Sequence, residues 1–185
     1  MPTISNVSAG KPRVSGAVYR APLGTTLPTD ASSALDAAFK DMGFISEDGV
    51  VNSNSPKSEN IKDWGGRTVL VVSTDKPDTF QLTFIEATNA NVLETVYGAD
   101  NVTVDAQNNT ITVRANADEL SEFSYVIDMA LRDDGLRRIV IPDGQLSEVG
   151  DITYKSDEAI GYETTISALP DASGNNHYEY TKLAS

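Results

Sequence analysis

The side chains through which this chain could do acid–base, nucleophilic or metal chemistry are few in kind: one histidine, His177, no cysteine, and 27 Asp and Glu. A Ser–His–Asp hydrolase would have to be built around His177, yet no G-x-S-x-G turn occurs to present a serine. His177 opens a strand-like run, where a histidine is ordinarily a surface residue. No G-x-x-x-x-G-K-[ST] or G-x-G-x-x-G sequence is present, so there is no nucleotide-binding fingerprint. The stretch Asp171–Asn176, DASGNN, has the flavour of a calcium loop, but its glycine stands fourth rather than sixth and no Glu follows at position twelve. It reads as a turn. The acidic pairs Glu47-Asp48, Asp118-Glu119 and Asp133-Asp134 are neighbours in sequence. Carboxylates that share acid–base work converge across a cleft from different elements, so these pairs read as solvated charge. Asn6, Asn101 and Asn108 head N-x-[ST] sequons, which carry little weight without a secretion signal. No catalytic residue, no metal ligand set and no cofactor is expected, and the chain is not expected to be an enzyme.

The elements that would position any site have a period of two. In Ser121–Arg132, Phe123, Tyr125, Ile127, Met129 and Leu131 fall on one face, with Glu122, Ser124, Asp128 and Arg132 on the other. Phe80, Leu82 and Phe84 alternate in the same way with Thr79, Gln81 and Thr83. Val102 and Val104, then Ile111 and Val113, flank Ala106–Asn109 and predict a hairpin with a four-residue loop. Further strands are expected over 16–21, 67–73, 136–141, 151–155, 160–168 and 177–183. The spacing Leu35, Ala38, Phe39, Met42 predicts a short helix, with Asp30 as N-cap and Gly43 as C-terminal stop. A second helix is predicted over 91–97, ended by Gly98. The fold class that follows is mainly β, an antiparallel two-sheet β-sandwich or barrel with one or two short flanking α-helices. Residues 1–185 read as a single domain, with an N-terminal arm over 1–14 and a long loop over about 45–66.

Hydrophobic residues make up 39% of the chain, enough for a core. The longest aliphatic run, Val69–Val72, is far short of a membrane span, and the N-terminus has no signal-peptide pattern, so the product is expected to stay where it is made. Fourteen basic residues against 27 acidic give a net charge of −13, which argues against binding nucleic acid by phosphate neutralisation.

Residues 18–50, VYRAPLGTTLPTDASSALDAAFKDMGFISEDGV, resemble the front of major tail tube proteins from long-tailed, non-contractile bacteriophages, with a marked likeness to phages of actinobacteria. APLGTTLPTDA, ALDAAFKDMG and ISEDGV carry the resemblance. A looser likeness runs through TFQLTFIEATNANVLETVYG and NVTVDAQNNTITV. The resemblance implies the tail tube fold and a virion structural role. Copies of the chain would form stacked hexameric rings, a hollow tube through which DNA is ejected into the host. It implies as partners the tape measure protein, the tail tip or initiator and the tail terminator. It places the protein in the virion tail after synthesis in the host bacterial cytoplasm, and it supplies no catalytic residue.

A ring of six would carry about six times −13, roughly −78, and DNA must slide past it without adhering. Strands apolar behind and polar in front suit a channel wall. Glu122, Ser124, Asp128, Thr79, Gln81 and Thr83 are therefore the candidate lumen-facing residues, weighed against an ordinary solvated sheet face. The loop up to Asp63, with Trp64 beside two glycines, supplies the candidate inter-ring contacts: Trp64, Lys57, Glu59 and Asn60. The alternatives are another virion β-sandwich protein, such as a decoration protein, and an adhesin-like binding module. An adhesin would be expected to show a cluster of exposed aromatics, and aromatic residues are only 7% of this chain.

Overall fold

A computed structural model describes residues 3, 6–13 and 17–184. Among the described residues there are thirteen strands, of which those facing the core, such as β7 and β12, alternate buried and more exposed positions: β1 (Lys11–Pro12), β2 (Val18–Pro22), β3 (Lys40–Asp41), β4 (Ile45–Ser53), β5 (Lys57–Lys62), β6 (Thr68–Asp75), β7 (Thr79–Phe84), β8 (Val102–Asp105), β9 (Thr110–Val113), β10 (Phe123–Ala130), β11 (Leu136–Val149), β12 (Tyr162–Leu169) and β13 (Tyr178–Lys182). One α-helix, α1 (Ala90–Tyr97), lies between β7 and β8. Every pairing is antiparallel.

Nine strands form one continuous sheet rather than two separate ones, and β11 is the reason. Its first half pairs with β10 and β13, its second with β12. One half of the sheet is thus β3-β2-β10-β11-β13 and the other is β11-β12-β7-β4. The passage between halves falls at Pro142–Gly144, opposite a register shift at Phe123–Tyr125. A strand that changes sheets through a bulge is the usual way of turning such a corner. Gly144 is needed there: a Cβ would sit 2.8 Å from Cδ2 of Tyr125 and 3.0 Å from Cγ2 of Ile166.

Both halves bury their apolar residues in one core, in which Val18, Tyr125, Ile127, Ile139 and Ile141 meet Phe80, Leu82, Phe84 and Ile166. The helix closes it with Val92, Leu93 and Val96. Asn89 caps the helix, its side chain accepting from the Asn91 N–H, and Gly98 ends it at φ 89°. A smaller core lies on the other face of β10 and β11, where Phe39 and Ala21 cover Val126 and Val140.

That second core explains why the helix predicted over 35–42 does not form. Phe39 belongs to the smaller core and Met42 to the larger, on opposite sides of the sheet, which one helical face could not reach. The side chain of Asp30 accepts from the N–H groups of Ser32 and Ser33, and that of Asp36 from Ala38. Such local bonds offer the backbone an alternative to the helix. Asp30 caps a turn rather than a helix, while Gly43 does adopt the left-handed conformation, at φ 72°. Residues 45–66 are not one long loop: they contain β4, β5 and the turns after them. No strand forms over 151–155. Of the N-terminal segment, the described part includes β1, paired to β10; residues 1, 2, 4, 5 and 14 lie outside the described residues. No helix among the described residues is long and apolar enough to cross a membrane.

Candidate functional site

β5 and β6 pair only with each other and stand away from the body as an arm. Ile61, Leu70 and Val72 lie on one of its faces by register, Val69 and Val71 on the other. All five are exposed, Val69 and Val71 by 62% and 58%. A hairpin apolar on both faces has no core of its own and is a surface that another chain must cover. Trp64 stands fully exposed in the turn at its tip, beside Gly65 and Gly66. Lys57, Glu59 and Asn60 are exposed on β5, so the four candidate contact residues are gathered on one projection. Over 57–75 Lys57, Lys62 and Arg67 balance Glu59, Asp63 and Asp75, so the arm is neutral and the −13 resides on the rest of the chain.

The arm's base is clamped. Asp78, buried between β6 and β7, accepts from Nδ2 of Asn52 at 2.8 Å and lies 2.5 Å from Nδ1 of His177. Its carbonyl accepts from the Ala168 N–H at 2.8 Å. The His177 ring also packs edge-on against Phe80, 5.2 Å between centroids. Sequence reasoning put His177 on the surface; it is largely buried, and it ties the start of β13 to the root of the arm. Nothing in the sequence alone pairs positions 78 and 177, which only the fold brings together.

A second surface is the outer face of β4, β7, β12 and the end of β11. Thr79, Gln81 and Thr83 lie on it, beside Glu163, Thr165 and Ser167 of β12 by register. Gln81 donates to Glu163 at 2.6 Å, Ser167 to the Ser147 hydroxyl at 2.9 Å, and Ser147 to the Thr165 carbonyl at 3.1 Å. None of the described residues of β4, β7, β12 or 143–149 is a lysine or arginine, while Glu47, Asp48, Asp143, Glu148 and Glu163 are acidic. The β12 and β11 contributions to this face were not singled out from the sequence, because only the pairing of β12 with β7 and β11 sets Glu163, Thr165 and Ser167 beside Thr79, Gln81 and Thr83.

The other three lumen candidates fall elsewhere. Glu122 is exposed just before β10, in a shallow depression with Glu119 and Gln145. Ser124 and Asp128 are 1% and 3% exposed and cannot line a channel. They point into the layer under residues 25–39, where Ser124 donates to the Pro142 carbonyl at 2.7 Å. The Arg138 guanidinium holds Asp128 with two bonds, Nε to Oδ1 at 2.6 Å and Nη2 to Oδ2 at 2.9 Å. Its Nη1 donates to the carbonyls of Asp30 and Ser33, at 3.1 and 3.0 Å. The hydrogen bonds to Asp128 raise the Arg138 pKa further, so the guanidinium keeps its charge in the interior. Arg13 adds a bond to Asp128 at 3.2 Å. Alternation cannot distinguish a polar residue that meets water from one that meets an overlying loop.

Beyond the opposite ends of β7 and β12 lies a pocket of about 290 Å³, lined by Leu93, Tyr97, Ile111, Val113, Tyr154 and Tyr162, with Ala87 and Thr88 at its edge. Tyr97 and Tyr162 meet edge to face at 6.2 Å, and burial raises the pKa of both hydroxyls. Tyr154 stands exposed at the rim. No group of three or more His, Cys, Asp or Glu among the described residues is arranged to hold a metal ion.

A family model described as phage tail tube protein matches residues 11–182, nearly the whole chain, and the chain belongs to that family. No curated protein matches it. It is a structural protein of the virion tail, from a family whose members build a tube.

Proposed function

We propose that this phage tail tube protein, acting as a single domain, assembles into hexameric rings that stack into the hollow tail of a long-tailed, non-contractile phage, and that the viral DNA leaves through the channel. The observation that carries the reading is the arm: a hairpin with apolar side chains on both faces that its own chain leaves uncovered. The cation-free face of β7 and β12, with Thr79, Gln81 and Thr83, supports its use as the channel wall, because a phosphate backbone finds no ammonium or guanidinium there to hold it. Trp64, Lys57, Glu59 and Asn60 serve the contact between rings. The tape measure protein fills the channel before ejection, and the tip initiator and the terminator cap the two ends. The host cytoplasm is the site of synthesis.

Electron microscopy and sedimentation of concentrated protein test this directly. Rings or tubes, spontaneous or seeded by a tail-tip complex, are the expected result. A monomer at every concentration, indifferent to the tip complex, would overturn it.

A further inference from the structure

We propose that the arm of one subunit ends in the tyrosine pocket of the next, with Trp64 seated among Tyr97, Tyr154 and Tyr162; this rests on the tube reading above and names the receiving surface that reading lacks. Strand register places donor and acceptor at opposite ends of the same structure. Thr79 of β7 faces Ser53 and Ser167 at the end from which the arm departs. Phe84 faces Ile45 and Tyr162 at the other end, and the pocket lies just beyond it. A projection at one end and a socket at the other make a head-to-tail contact that never closes on itself, which propagates as a filament.

The chemistry matches as well. None of the pocket's lining residues is charged, on a chain whose net charge is −13. A socket of this kind selects an apolar, aromatic guest, and its tyrosine hydroxyls can accept the indole N–H, the one polar group such a guest brings. Trp64 is the only tryptophan in the chain and is fully exposed. Gly66, at φ 83°, supplies the left-handed residue of the tight turn in which Trp64 stands exposed. The arm that carries it is neutral, so it approaches an acidic neighbour without repulsion. The subunit does not satisfy its own pocket, since its arm leaves from the far end and remains exposed. A second copy is therefore the guest, rather than a free aromatic molecule or another tail protein.

Because Trp64 is unique, its fluorescence reports its own surroundings. The dispersed subunit should emit as an indole in water. Assembly should shift the emission to the blue and add energy transfer from tyrosine. Trp64→Ala, and separately Ile111→Asp or Tyr154→Ala at the exposed rim, should each raise the critical concentration for assembly roughly tenfold or more. Circular dichroism should show each variant folded, and Tyr154→Ala, altering the more exposed residue, guards against a loss of fold at Ile111. Mixing Trp64→Ala with Ile111→Asp should restore one junction, the intact arm of the second in the intact pocket of the first, seen as a larger sedimenting species. Tubes that form with Trp64 still emitting as in water, or rim variants that assemble like the parent chain, would overturn the seating and leave the tube reading standing. A parent chain that never assembles would remove both. A shift produced only by another tail protein, or abolished by a small aromatic ligand without effect on assembly, would refute the second copy as guest.

Discussion

Arg138 is 1% exposed, and its guanidinium makes five hydrogen bonds: two to Asp128, two to the backbone of the turn at 30–33 and one, at 3.5 Å, to the Ser33 hydroxyl. Replacing it by methionine keeps the bulk and removes all five. Asp128 would be left buried with only the Arg13 bond, and two carbonyls would lose their donor. Breaking a buried pair from one side costs about 3–5 kcal/mol. That is a large share of the roughly 5–15 kcal/mol that holds a domain together. In a chain of this length it corresponds to a fall in Tm of roughly 6–20 °C. The double variant Arg138→Met with Asp128→Leu removes both charges and should recover most of the loss, since a buried pair is often no better than an apolar one. Urea denaturation of the two variants and the parent measures both numbers. The placement also separates two readings of Asp128. A channel carboxylate could become lysine with little effect on folding, whereas a buried partner of Arg138 could not. An Arg138→Met variant within about 1 kcal/mol of the parent, or an Asp128→Lys variant as stable as the parent, would refute the buried network.

Gly144→Ala forces a Cβ into the Tyr125 and Ile166 side chains and should cost about 1–3 kcal/mol by denaturation, with Gly174→Ala, where the tip is open but φ is 80°, as a milder control. Gln81→Lys together with Thr165→Lys should leave the subunit folded but hold DNA within assembled tubes, measured as slowed ejection; unaltered ejection would show that this face does not line the channel. The Asp171 pKa is lowered, chiefly by the hydroxyl hydrogen bond from Tyr178, so its contribution is present above the ordinary carboxylate range and is lost as pH falls through the depressed folded value. The same bond raises the Tyr178 pKa, so at the alkaline end the contribution is lost as pH rises through the elevated tyrosine value. Asp171→Asn should flatten the acid limb of a stability-versus-pH profile, read from thermal melts.

How legible this molecule is in its sequence differs from element to element. β7, β10, the β8–β9 hairpin with its four-residue loop, and α1 with its Gly98 stop are where alternation and caps put them, because one face of each meets a core. β4 carries no alternating pattern. It is an edge strand with a register shift between Ile45 and Val50, and its pairing to β7 rather than its side chains makes it a strand. Residues 35–42 show a helical stripe, yet two cores pull Phe39 and Met42 apart. At the candidate site, Trp64 and its neighbours are visible as an uncommitted polar stretch around a lone tryptophan. The tyrosine pocket is not, because its walls come from 87–97, 111–113, 154 and 162, segments far apart in the chain that meet only in the fold.

The separation of charge between a neutral arm and an acidic body has a consequence for the medium in which tails grow. Dissolved ions screen the mutual repulsion of the bodies within about 10 Å at 0.1 M. They take little from a contact built on apolar side chains. Adding salt should therefore speed elongation, the reverse of what a polymer held by ion pairs would do, and dilution into fresh water should be the condition under which growth is slowest.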